Sequence, residues 1–348
     1  MVELETFLGI DYPTLWYLVV GLLFSGYAIL EGFDYGAGAW HLFLRKDLSR
    51  RVAINAIGPL WDANQVWLII GGGALFAGFP VMYATMLSAM YIPFMLFLVL
   101  LVLRSSAIKF RSSEEMIWWR KTWDIIYFIS NTLIAFLLGV VLGNVLQGFE
   151  IGENFSYKGG IFFAFLSPYA IMVGLTTLSI FMTQGAIFLL LKTEGRLYAR
   201  LIFLIKKGMI FFIISFAITS LYTLIFLPGV TDKFKEYPVF FILPLLAFLA
   251  VANVPRLVSK KKYANALVFS SLTMAFLLML VAFQLYPVLL PSTIDTKFSV
   301  TIYKAASSQK SLGIMLTIVV IGAPLLAGYF LFLYKTFHGK VKLDDTSY

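Results

Sequence analysis

An all-α integral membrane protein with nine transmembrane helices is the fold class that this 348-residue sequence predicts, and three observations carry it. Hydrophobic residues make up 60% of the chain and charged residues 13%, against roughly 25% charged in a soluble domain. Several apolar stretches exceed the ~20 residues that cross a bilayer as a helix. The basic residues gather in short connections on alternate sides of these stretches. That pattern encodes membrane topology, so the net charge of +9 does not point to nucleic acid.

The spans fall at about 14–35, 55–79, 81–103, 123–147, 161–190, 206–227, 238–255, 264–286 and 312–335. The acidic start, "MVELETFLGIDYP", lacks the basic region of a cleaved signal, so the first run is expected to stay as a helix. One set of connections holds 21 Lys and Arg and the other set 6. This asymmetry predicts an outside N-terminus and a cytoplasmic C-terminus. The alternation also requires an odd number of spans. The seventh span is the weakest, being short and containing Pro244. In the second and fourth spans, Gly71 to Gly73 and the pair Gly139 and Gly143 are expected to let helices approach closely. The longest connection, 287–311, is expected to fold over the outer face. No soluble catalytic domain fits, so any chemistry lies within the membrane or in a partner chain.

Cysteine is absent, which excludes disulfides and thiolate metal sites. The two histidines, His41 and His338, lie outside the spans. No pair of axial haem ligands is visible, and no metal site is expected in this chain.

Four acidic residues fall within or beside spans: Glu31, Asp34, Asp62 and Asp124. A carboxylate at a span centre costs about 2.5–3.5 kcal/mol and normally faces protein or water. Glu31 and Asp34 are three apart and share a face of the first helix. An Asp34–Arg104 ion pair is predicted, because both residues fall near the cytoplasmic side. Asp124, beside Arg120 and Lys121, reads as a helix-end anchor. In "GPLWDANQVWLIIGGG", residues 58–73, Asp62 is predicted about seven residues into the second helix, roughly 10 Å deep. A carboxylate held in low dielectric exchanges protons nearer neutral pH than one in water. Asp62 is therefore a candidate for a proton path, with Glu31, Asn64 and Gln65 as a relay. The alternative is a polar hinge that binds two helices by hydrogen bonds, and the residues alone leave both open.

The motifs "EGFDYGAG" (31–38), "GPLWDANQVWLIIGGGALFAGFP" (58–80), "SPYAIMVGL" (167–175), "FMTQGAIFLLLKTEGRLYAR" (181–200) and "LLPSTIDTKFSVTIYKAASSQKSLGIML" (289–316) resemble subunit II of the cytochrome bd ubiquinol oxidases. The resemblance runs over about residues 12–336. It implies one polytopic membrane domain, 1–348, of two four-helix bundles (about 14–147 and 161–286) and a ninth peripheral helix (312–335). It implies a heterodimer in the bacterial plasma membrane. The partner, subunit I, would carry two haems b, one haem d and the quinol site, with small accessory subunits in some members. The enzyme would oxidise quinol and reduce oxygen to water, generating membrane potential without pumping.

Within that resemblance Asp62 is associated with a proton path toward the haems. Trp61, Asp34 and Arg104 match the wall of a pocket that holds a structural quinone in some members. Gln184 replaces a histidine common in relatives, so a proton role at that position is lost. Two other readings stay open: a purely structural scaffold subunit, and a proton-coupled secondary transporter, which glycine-rich segments and membrane carboxylates would also suit.

Overall fold

The computed structural model describes residues 6–160, 162–227 and 232–343. The first five residues, and position 161 where the sequence reading begins the fifth span, lie outside the described residues. The helices are α1 (Tyr12–Ala39), α2 (Asp47–Ile57), α3 (Trp61–Gly78), α4 (Pro80–Ala89), α5 (Tyr91–Phe110), α6 (Ile117–Gln147), α7 (Pro168–Lys192) and α8 (Gly195–Phe226). They continue with the short α9 (Asp232–Glu236), α10 (Ile242–Ser259), α11 (Tyr263–Leu285), the short α12 (Ile302–Ala305) and α13 (Gln309–Thr336). Two small antiparallel pairs, β1 (Thr6–Phe7) with β2 (Ile10–Asp11) and β3 (Val288–Leu290) with β4 (Val300–Thr301), lie outside the spans.

Local chemistry sets the helix starts. Asp11 accepts the Thr14 N–H at 2.9 Å, and Ser167 accepts that of Ala170 at 3.1 Å. Each cap is followed by a proline in the first turn, where a missing N–H costs nothing. Among the described residues, eight helices are individually long and apolar enough to cross a membrane, or nine if α3 and α4 count as one span.

That pair corrects the second and third spans. Residues 55–79 are not one straight helix. α2 ends at Ile57, the chain turns through residues 58–60, and α3 starts afresh at Trp61. It breaks again at Phe79, and α4 departs at 116°. Pro80, which has no N–H to extend the ladder of α3, opens α4. The third span accordingly begins at Tyr91, not at 81.

α1 and α7 form the centre. Residues 31–39 of α1 and 178–190 of α7 are buried all round. The two backbones meet at Gly36 and Gly185. A Cβ on Gly36 would strike the Phe181 carbonyl, and one on Gly185 would strike the backbone of Ala37 and Gly36. α1 also packs on α3, α6 and α11; α6 packs on α5 and α7; α7 packs on α8 and α11; α11 packs on α10. Hydroxyl pairs bind α7 to α8: Thr176 to Thr219 at 2.8 Å and Ser179 to Ser215 at 2.9 Å.

The glycine expectations divide. Added Cβ atoms at Gly139 and Gly143 would meet the backbone of α7 at 2.7 Å, so close packing holds there. Gly72 and Gly73 have nothing within 4 Å and do not serve packing within this chain. The connection 287–311 does close over one end of the bundle. Ser307 hydrogen-bonds the carbonyls of Ala77 and Gly78, and the Phe149 N–H donates to Pro291 O at 2.8 Å.

We expect Gly185→Ala to cut the yield of folded protein severalfold, because its neighbours are backbone atoms that cannot give way. Gly72→Ala should leave the yield unchanged. Fluorescence-detected size exclusion of tagged variants checks both.

Candidate functional site

The second half of α1 carries Glu31 and Asp34 into the interior, where neither retains solvent-exposed surface. Arg104 of α5 is equally buried. Its Nη1 makes a short ion-paired hydrogen bond to Glu31 Oε1 and a second one, at 3.1 Å, to Gln65 Oε1 of α3. Nη2 stands 3.9 Å from Asp34 Oδ2. Asp34 also accepts a hydrogen bond from Asn64 Nδ2 at 2.9 Å. The other end of that amide, Asn64 Oδ1, accepts from the Tyr334 hydroxyl of α13 at 2.9 Å. The guanidinium lies 4.6 Å from the ring centre of Tyr35 and 5.9 Å from that of Trp61, within cation–π range. Helices α1, α3, α5 and α13 thus converge on two carboxylates and one guanidinium.

The structure refines the ion pair expected at this site. The predicted Asp34–Arg104 pair is present, at 3.9 Å, but Arg104 pairs more closely with Glu31, and Asp34 also accepts from Asn64. Both acids lie on the arginine-facing side of α1, so spacing alone could not rank them. Trp61, Asp34 and Arg104 do come together, but all three are buried and packed. They form a closed polar core.

Asp62 is exposed and not buried. Because α3 begins at Trp61, Asp62 sits in the first turn, on a stripe with Val66, Ile69, Gly73 and Phe76, all of them exposed. The residues expected as one group therefore separate. Asn64, Gln65 and Trp61 point inward with Glu31 and Asp34, and Asp62 points outward. Gln184 of α7 donates to Ser271 Oγ at 3.0 Å and to the Ile29 carbonyl at 3.3 Å.

A second polar cluster contradicts the reading of Asp124 as a simple helix-end anchor. Asp124 is buried on α6 and accepts from His41 Nε2 at 2.5 Å, Arg111 Nε at 2.5 Å and Arg50 Nη1 at 2.9 Å. Arg111 also binds Asp47 at 2.6 Å. His41, in the turn after α1, is fully buried. Burial pushes its imidazole below the ordinary histidine value; the charges of Arg111 and Arg50 act the same way and Asp124 opposes them. The ring is thus neutral at neutral pH, with Nε2–H donating to Asp124. With Nε2 engaged, it does not fit as a haem ligand. The flanking Arg120 and Lys121 were the sequence signal at Asp124, but its main partners come from positions 41, 50 and 111.

Comparison with known proteins gives a consistent set of likenesses. The family profile described as "Cytochrome bd terminal oxidase subunit II" matches residues 12–337. The chain is 32% identical to the cytochrome bd-I ubiquinol oxidase subunit 2 of Escherichia coli (strain K12), over 97% of each chain. It is also 32% identical to the cytochrome bd ubiquinol oxidase subunit 2 of Bacillus subtilis (strain 168), over 94% of this chain and 96% of that one. Its fold is similar to a chain of the bd oxidase structure from Geobacillus thermodenitrificans, with a TM-score of 0.75, 20% identity, and coverage of 94% and 98%.

Breaking a buried ion pair by removing one partner costs about 3–5 kcal/mol. We expect Arg104→Leu to lower the thermal unfolding midpoint strongly. Adding Glu31→Leu should recover part of the loss, and adding Asp34→Leu should recover less. A larger recovery with Asp34→Leu would reverse the assignment of partners.

Proposed function

The chain belongs to the cytochrome bd terminal oxidase subunit II family, and from that premise we propose that its buried Glu31–Asp34–Arg104 cluster handles protons for the oxidase. The protein is subunit II of a cytochrome bd-type quinol oxidase and a multi-pass protein of the bacterial membrane. A subunit II implies a subunit I. In our reading that partner ligates the haems and binds quinol, and this chain ligates none.

One observation carries the proposal: two carboxylates share a single guanidinium with no water-exposed surface among them. With all three ionised, the cluster would hold an uncompensated negative charge in low dielectric, which is strongly disfavoured. One added proton removes it. Glu31 and Asp34, three apart on one helix face, therefore hold one proton between them. Asn64 and Gln65 fix the carboxylate and guanidinium positions. Taking up and releasing that proton changes the cluster charge by one, the property a relay station needs. The charge asymmetry of the loops supports a cytoplasmic position for the Arg104 end, from which the oxidase would draw its chemical protons.

Asp62 takes a different place in this scheme. A carboxylate on an otherwise apolar, exposed stripe of α3 does not suit a lipid-facing surface. We place this stripe against subunit I, with Asp62 at the junction where a proton passes between chains. The scaffold reading has its own support in the closed packing of Trp61, Asp34 and Arg104, which would stabilise the bundle with or without proton traffic.

Turnover per haem in the purified complex separates these readings. Glu31→Gln and Asp34→Asn keep shape and hydrogen bonding but cannot titrate. We expect haem content to survive while turnover falls by roughly a hundredfold. Asp62→Asn should also slow turnover, with quinol KM little changed. Wild-type turnover in all three variants would leave the scaffold reading standing.

A further inference from the structure

We infer that His41, with Asp124 and Tyr127, forms the proton intake that feeds the Glu31–Asp34–Arg104 cluster from the basic end of the bundle. This rests on the proton-handling reading of that cluster.

His41 follows Asp34 by seven residues and Glu31 by ten, so all three project from neighbouring positions on one side of α1 and its terminal turn. Asp124, Tyr127 and Asn131 are spaced three and seven apart on one side of α6. The two sides face each other. His41 bonds Asp124 at 2.5 Å, its ring meets the Tyr127 ring edge-on at 5.0 Å, and a Cβ on Gly38 would run into the Asn131 amide. Seven residues of helix span roughly 10 Å, which is the distance this seam must cover.

The seam is lined by polar atoms that the protein does not satisfy. His41 Nδ1, Tyr127 Oη, Asn131 Oδ1, Asp34 Oδ1 and Glu31 Oε2 are all buried without a hydrogen-bond partner. A buried polar atom left unpaired costs about 1–3 kcal/mol, and native proteins meet that cost with ordered water. A cluster that served only to pin α2 would engage Nε2 of His41 and have no use for a row of bare acceptors leading inward. At the other side, the Arg50 side chain is partly exposed and the Asp47 side chain more than half exposed, so the cluster reaches the surface.

The chemistry needs only protons. Water delivers a proton to Nδ1 of the neutral ring; an N–H bond forms, and the imidazolium is held by the Asp124 carboxylate through Nε2–H. Release from the same Nδ1 toward Tyr127 and the inner acids breaks that bond and restores the neutral ring. The groups facing His41 set its balance: Asp124 and Tyr127 from α6, Arg111 at the end of α5, and Arg50 from α2. Arg200 of α8 caps the same turn, donating to the Phe43 carbonyl at 3.5 Å. Two arginines beside the ring keep the loaded state short-lived, which suits transfer better than storage. His41 is the one histidine in the described spans and their connecting turns, so the seam has a single group of this type.

The test uses the purified two-subunit complex and the pH profile of oxygen consumption per haem, from about pH 6 to 9. His41→Gln retains a donor to Asp124 and cannot carry a proton. We expect normal haem content and quinol KM, a kcat lowered roughly tenfold, and a steeper fall with rising pH than in the wild type. Tyr127→Phe, which deletes one buried oxygen and no ion pair, should slow turnover in the same direction. Wild-type kcat and pH profile in His41→Gln overturn the proposal. If His41→Gln does not assemble, Tyr127→Phe decides alone, and wild-type behaviour in it overturns the proposal. Asp34→Asn is the control: slow Asp34→Asn with normal His41→Gln removes only the intake, and normal turnover in both removes the proton-handling reading itself.

Discussion

The burial of Arg104 between Glu31 and Asp34 is the constraint on which the rest of the structure depends. Three ionic groups inside a membrane bundle must be enclosed by protein on every side. The sequence of α1 meets this demand with glycines placed around the acids. Gly36 lets α7 lie directly against the charged segment, and Gly185 on α7 answers it. The result is a stretch of α1, residues 31–39, with no exposed face. Asn64 and Gln65 from α3 and Tyr334 from α13 complete the shell. The ninth helix therefore contributes directly to this core, although the resemblance implies a peripheral position for it.

Much of this was legible in the sequence because it rests on local quantities. Span length, loop charge and a three-residue spacing of acids all follow from hydropathy and helix geometry. Arg104 was also legible, since a guanidinium closing an apolar run needs a partner. What was not legible depends on where helices start and on contacts between distant residues. Asp62 was expected deep because the second span was read as continuous from position 55. The turn at residues 58–60 resets the helix and moves Asp62 to the first turn and to the outside. Gly58 and Pro59, just before Trp61, were the available signal. Asp124 was misjudged for the opposite reason. Its sequence neighbours are basic and suggest a surface anchor, but its bonds run to residues 74 and 83 positions away.

The two buried clusters share a design. Each sets carboxylate against guanidinium, and each leaves polar atoms without a protein partner. They differ in their titratable group. In the outer cluster it is an imidazole, and in the inner cluster a pair of carboxylates competing for one arginine. Lying along the α1–α6 seam, they connect the basic end of the bundle to its centre. Asp62 then stands on the face of α3 that the bundle leaves exposed, which is the face proposed to meet subunit I.

The central claim is that Glu31 and Asp34 together hold one exchangeable proton. Redox-induced infrared difference spectroscopy of the intact complex, in H2O and D2O, reads this directly. A protonated buried carboxyl group gives a carbonyl stretch that carboxylates lack and that shifts on deuteration. The account predicts such a band in the wild type and its loss or displacement in Glu31→Gln and in Asp34→Asn. A spectrum in which that band is absent, or is unchanged in both variants, would contradict it.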